Sequence, residues 1–180
     1  MDDTETMVRE LYSKQRIREV IMTAARASDR GDKTLLKSCY HPDALEDHAS
    51  TFSGKAYDYI DGVGKRKSTT NAVTVRSMQH FIGNILVTLD GDVAWVESYT
   101  VVFARMLKAG QDYDTFTGGR YCDRFECRDG AWKISYRKIV YDWNRDVSSK
   151  ETWLLGIYDT SDARMHMGAR DKTDLSYTRF

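Results

Sequence analysis

At 180 residues, 41% of them hydrophobic and 30% charged, the chain is long enough for one domain with a sizeable buried core. Lys plus Arg equals Asp plus Glu at 27 each, so no charge excess points to nucleic acid or an anionic membrane surface as partner. No apolar run reaches bilayer-spanning length, and the acidic start Met1-Asp2-Asp3-Thr4-Glu5 lacks the basic-then-apolar pattern of a secretory signal, which predicts a cytoplasmic protein.

From Glu10 to Ser28 the apolar positions Leu11, Ile17, Val20, Ile21, Ala24, Ala25 and Ala27 recur at helical spacing, with charged residues on the remainder. Gly31 can end this amphipathic helix by taking the left-handed cap conformation. Asp32 then caps a short second helix containing Leu35, Leu36 and Cys39, closed by His41 and Pro42. Ala44 to Ser50 reads as a short strand and Thr51 to Gly54 as a turn or second short strand. Tyr57 to Lys67 has weaker helical character, interrupted by Gly62 and Gly64.

The second half changes period. Four long strand-like segments follow, near Thr74 to Leu89, Val93 to Lys108, Asp112 to Arg128 and Ala131 to Asn144. They are separated by Asp90-Gly91-Asp92, Ala109-Gly110 and Asp129-Gly130, the turn chemistry that antiparallel hairpins require. Strands of about fifteen residues must coil and bend. Helices followed by such hairpins predict an α+β fold in which a concave sheet and a helix enclose a cavity. Thr152 to Tyr158 suggests a short helix, and the last fifteen residues a tail, either disordered or docked on a neighbouring subunit. The division expected is a domain over 1–147 and a C-terminal extension over 148–180.

The residues suited to chemistry are few. Asp29 ends the first helix beside its Ala-rich face, and His80 lies on an apolar strand. A carboxylate that orients an imidazole makes it a general base near neutral pH. Strict alternation places His80, Ile82, Asn84 and Leu86 on one face. Arg137 shares a strand face with Ile139 and Tyr141 and could stabilise a developing oxyanion or leaving group, or form a salt bridge. On the preceding strand Tyr121, Asp123 and Phe125 share a side, and Tyr121 could donate to a carbonyl. Ala25, Ser28, Tyr121, Ile139 and Tyr141 are the expected substrate pocket. His41 and His48, with Asp43, Glu46 and Asp47 between them, have no recognised ligand spacing, so no metal is expected. Phosphate-cradling and dinucleotide glycine patterns and Gly-x-Ser-x-Gly are absent, so no cofactor is expected. Gly118-Gly119 inside a strand marks a bulge. The three cysteines Cys39, Cys122 and Cys127 read as free thiols.

Several segments together resemble the SnoaL-like branch of the nuclear transport factor 2-like superfamily, which includes scytalone dehydratases, bile-acid dehydratases and hexachlorocyclohexane dehydrochlorinase. They are Ala27-Ser28-Asp29-Arg30-Gly31-Asp32, Cys39-Tyr40-His41-Pro42-Asp43-Ala44, His80-Phe81-Ile82-Gly83-Asn84, Gly91 to Tyr99, Gly119 to Glu126 and Arg128 to Ile134. The resemblance implies a cone-shaped half-barrel of a curved, mostly antiparallel sheet packed on N-terminal helices. In the dehydratase and dehydrochlorinase relatives an Asp on the first helix and a His on a long strand form a catalytic dyad, which Asp29 and His80 match. Arg137 matches an arginine that assists the leaving group. Two departures stand out: Ala24 replaces the lysine of the dehydrochlorinase, and Ser28 replaces the tyrosine beside the aspartate of scytalone dehydratase.

The expectation is therefore a cofactor-independent lyase or isomerase acting on a small apolar or cyclic molecule. Its alternatives are a non-catalytic ligand-binding or oxygenase β-subunit-like assembly protein, and an aldol-type polyketide cyclase. A sheet face without helices predicts a homodimer or homotrimer.

Overall fold

The computed structural model describes residues 3–62 and 73–178. Helix α1 (Asp3–Asp29) buries Ser13, Ile17, Ile21, Ala24 and Ala27, one stripe at three- and four-residue spacing. Burying each isoleucine contributes roughly 1.5–3 kcal/mol. The helix begins seven residues before the expected start, and its first turns are exposed. Leu11, expected on the buried face, is consequently exposed along with Met7, Val8 and Tyr12. Gly31 ends the helical run at φ 63°.

Helix α2 (Lys33–Ser38) is capped by the Asp32 carboxylate, which accepts from the Leu35 N–H at 3.1 Å. It stops at Cys39, earlier than Pro42 alone would require. His41 and Pro42 therefore sit inside strand β1 (Tyr40–Asp47), where the buried His41 Nε2–H donates to the Glu126 carbonyl at 3.0 Å. A short 3₁₀ turn, Ala49–Thr51, leads to β2 (Ser53–Lys55) and α3 (Ala56–Gly62). The remainder of the segment expected to be helical, through Lys67, lies outside the described residues.

Strands β3 (Val73–Asp90), β4 (Val93–Lys108), β5 (Gln111–Arg128) and β6 (Ala131–Ser148) form consecutive antiparallel hairpins. Two of their turns place both central residues in the left-handed region: Ala109 and Gly110, and Asp129 and Gly130. The sheet runs β2-β1-β6-β5-β4-β3, and β1 beside β6 is its parallel pair. It is a curved, unclosed, mostly antiparallel sheet holding the N-terminal helices, a cone-shaped α+β half-barrel.

Irregularities in register bend the sheet. In β5, pairing with β6 slips between Gly118 and Gly119. A Cβ at Gly119 would stand 2.3 Å from the Val140 carbonyl oxygen, so the bulge needs glycine there. In β3 a slip between Ile82 and Ile85 reverses the alternation. Asn84 and Leu86, expected to share the His80 face, are exposed, while Ile85 and Val87 pack against the core.

Beyond β6 the expected short helix is a single left-handed turn, with Trp153, Leu154 and Leu155 at φ 48°, 56° and 57°. The tail then folds back on its own chain. Arg170 Nη1 donates to the Asp29 carbonyl at 2.9 Å, and Tyr177 O–H to Asp32 Oδ2 at 2.9 Å. Arg30 pairs with Asp174 at 3.0 Å and Lys172 with Asp32. Gly31 admits this approach, because a Cβ there would meet the Arg170 carbonyl at 3.0 Å. Among the described residues no helix is long and apolar enough to cross a membrane.

Candidate active site

The concave sheet face and the C-terminal half of α1 enclose a cavity of about 420 Å³. Ala24, Val75, Val102, Ala104, Met106 and Ile139 give it a largely apolar wall. Such a site strengthens any electrostatic contact made inside it.

One polar group enters from the sheet's outer edge. His80 projects from β3, an edge strand, so among the described residues one side of its backbone lacks a strand partner. Asp29, the last residue of α1, fills that role: Oδ2 accepts the His80 backbone N–H at 3.1 Å, and Oδ1 lies 2.6 Å from His80 Nδ1. The two side chains are 9% and 14% exposed, so neither contact is a loose surface pairing. A carboxylate only accepts, so the ring nitrogen facing it carries a hydrogen, and in the neutral ring Nε2 then holds the lone pair. His80 lines the cavity. Ser28 lies beside it on the wall and directs its hydroxyl to Met78 Sδ at 3.8 Å. Arg170 sits above the helix end. Burial lowers its guanidinium from the ordinary value, and the Asp29 charge opposes that.

Arg137 lies on the inner face, buried, and not on the outer surface. Its Nε and Nη2 donate to Asp123 Oδ1 and Oδ2 at 2.8 and 2.7 Å, a bidentate pair between neighbouring strands. The guanidinium also stacks 4.1 Å from the Tyr121 ring centroid. Burial works against the Arg137 charge, but Asp123 and Tyr40 reverse this and raise it well above its ordinary value. Burial raises the Asp123 carboxyl despite Arg137, and pushes the Tyr121 phenol up to about 12. With two nitrogens committed to Asp123, Nη1 is the guanidinium nitrogen outside that pair.

The cavity lining contains Asp29's partner His80, Arg137, and all five expected pocket residues: Ala25, Ser28, Tyr121, Ile139 and Tyr141. Glu46, His48, Tyr40 and Tyr59 line it too, a group not expected as a site. His48 stacks on Tyr59 at 4.0 Å between centroids and bonds Glu46 Oε1 through Nε2 at 2.8 Å. The signal was present in the β1 alternation: Ala44, Glu46 and His48 recur every second residue, and the first two are buried. The cysteines are free thiols, and burial raises all three, which disfavours the thiolate a nucleophile needs.

Comparison with solved structures finds the same architecture. A scytalone-dehydratase-like protein from Novosphingobium aromaticivorans is 18% identical, covering 78% of this chain and 91% of its own, with a TM-score of 0.64. A hexachlorocyclohexane dehydrochlorinase of type 3 from Novosphingobium barchaimii is 15% identical, covering 78% and 93%, with a TM-score of 0.67. A type 2 dehydrochlorinase superposes at 0.68 with 14% identity, over 79% and 94%. Among curated protein sequences none matches significantly. At these identities the structural likeness speaks for the fold, while the family model for the SnoaL-like domain matches residues 9–138, from the first helix through Arg137. This chain therefore belongs to the SnoaL-like domain family.

Proposed function

We propose that the protein is a cofactor-independent lyase or isomerase that removes a proton from a small, largely apolar or cyclic molecule. The observation that carries this reading is the double hold of Asp29 on His80, at ring and backbone, with the imidazole on the wall of an apolar cavity. His80 Nε2 takes a proton from carbon, and Asp29 stabilises the imidazolium that forms. Arg137 Nη1 or the Tyr121 hydroxyl supports charge on the departing group or enolate oxygen. General-base assistance of this kind contributes about 10²–10⁴-fold.

Family membership supports the lyase reading, since the structural neighbours include proteins named as a dehydratase and as dehydrochlorinases. The open cavity favours it over a non-catalytic assembly role, which a chamber packed with aromatic side chains would have suited. We also propose a cytoplasmic, self-associating protein. Phe81, Leu86, Trp95, Tyr99 and Val101 are exposed on β3 and β4, where a second copy could cover them.

The test measures alkene formation from matched one- and two-ring β-hydroxy and β-chloro ketones, beginning with 3-hydroxycyclohexanone. Folded His80→Ala should lose turnover of every member that the wild type converts. Full turnover by that variant rules the base assignment out.

A further inference from the structure

A second polar group enters the same cavity from the opposite end of the sheet order. β1 lies next to the β2 edge, whereas β3, which carries His80, is the other edge. Glu46 pairs in register with Arg137, and Arg137 with Asp123, so three adjacent strands carry carboxyl, guanidinium and carboxyl in one row. All three are buried, at 3%, 6% and 2% exposure. His48, two residues beyond Glu46, extends the row: its Nε2 is 2.8 Å from Glu46 Oε1, and its Nδ1 is 3.4 Å from the Tyr141 hydroxyl. Its side chain is 11% exposed and is clamped by the Tyr59 ring.

The two imidazoles stand on different walls, each held by a carboxylate. In the inner row two carboxyl groups flank one guanidinium, and His48 continues that row through its bond to Glu46. At the other wall, Asp29 faces His80 with the Arg170 guanidinium beside the helix end. A cavity with one carboxylate-held imidazole toward each end of the sheet order suits a reaction that takes a proton at one and gives one at the other.

We propose that Glu46, His48 and Tyr141 form the proton donor to the leaving group, and that the substrate's leaving group is therefore a hydroxyl rather than a halide. This rests on the reading of His80 as base. His80 Nε2 takes the hydrogen from the carbon beside the carbonyl, and the C–H pair becomes the new C=C bond. The C–O bond breaks with its pair on oxygen, and that oxygen receives the proton held by His48, passed through the Tyr141 hydroxyl, and leaves as water. His80 ends protonated and His48 neutral, and exchange with solvent resets both. A halide departs as a stable anion and gains nothing from the donor, whereas hydroxide is a poor leaving group unless protonated.

The test compares rates on the hydroxy and chloro members of the ketone panel, which give the same enone. In His48→Gln the hydroxy-to-chloro rate ratio should fall by about 10²–10⁴-fold, the range for a general acid. Tyr141→Phe, at a half-exposed position and with the ring kept, should lower the same ratio. His80→Ala should depress both members together. A merely structural His48 would lower both rates and leave the ratio unmoved, and that result overturns the assignment. Conversion of the chloro members alone by the wild type overturns it too, while leaving His80 as base. Conversion of no member by the wild type overturns the elimination reading and this inference with it.

Discussion

Replacing Asp29 with Asn tests the hydrogen-bond logic of the site without knowledge of the substrate. The carboxylate now accepts two hydrogens, one from the His80 backbone at 3.1 Å and one from its ring at 2.6 Å. Asparagine has one acceptor oxygen and one donor nitrogen. The backbone N–H can only donate, so it claims the oxygen, and the amide NH₂ must face the ring. Nδ1 then has to accept, and the imidazole hydrogen moves to Nε2, the nitrogen whose lone pair the proposed base needs. Two bonds to a charged group, about 1.5–3 kcal/mol each, are exchanged for neutral ones of about 0.5–1.5 kcal/mol. Taken at mid-range, stability should consequently fall by about 2–3 kcal/mol. Activity should fall far more, by about 10⁴-fold, the scale seen when a catalytic imidazole is held in the wrong tautomer. The assay is a ¹⁵N–¹H correlation of the imidazole, with the His80 signals assigned by their loss in His80→Ala. The wild type should carry its hydrogen on Nδ1 and the Asn variant on Nε2. A wild type protonated on Nε2, or a variant whose tautomer is unchanged, refutes the reasoning.

Two further outcomes follow from charge pairing, one inside the sheet and one at the tail. Asp123→Asn leaves the Arg137 guanidinium buried without its bidentate partner and should cost about 3–5 kcal/mol. At about 2–4 °C per kcal/mol for a chain of this size, calorimetry should show Tm lower by roughly 6–20 °C; a loss below about 1 kcal/mol contradicts the paired geometry. The docked tail should be insensitive to pH across the neutral range. Lys172 lowers the Asp32 carboxyl, and the Ser176 hydroxyl and Ala169 N–H hold Asp174 well below the usual carboxylate range. Carboxylates depressed by folding contribute stability above their unfolded value of about 3.9 and lose it as pH falls through their folded values. Amide shifts of Ala169 and Ser176 should thus hold steady from pH 8 to 5 and move only in acid below about pH 4. Detachment between pH 5 and 8 would mean that other groups hold the tail.

Much of the fold is legible because its signals are local. The hairpin turns are written in dipeptides: Asp129-Gly130 and Ala109-Gly110 adopt the left-handed pairs that tight antiparallel turns demand, so strand ends fall within a few residues of their expected places. The β5 bulge was likewise readable from Gly118-Gly119, since a strand seldom tolerates two glycines without distortion. The β3 bulge between Ile82 and Ile85 was marked less plainly, by the single glycine Gly83. One slip there moved Asn84 and Leu86 to the outside and brought Ile85 and Val87 in, because the side-chain period of two has no tolerance for an extra residue.

The sequence by itself determined the helix stripe, the hairpins and the residue types able to do acid–base work, because backbone preference and hydrophobic period act over a few neighbours. Only the tertiary structure decided which of those residues meet. Asp29 and His80 are 51 positions apart, joined because the helix end caps an unpaired edge of β3. Glu46, Arg137 and Asp123 form one row only through the parallel pairing of β1 with β6, and the tail reaches Asp29 only because Gly31 leaves room for it. Each of these contacts closes a long loop of chain, so its stability comes from burial and charge pairing between distant elements.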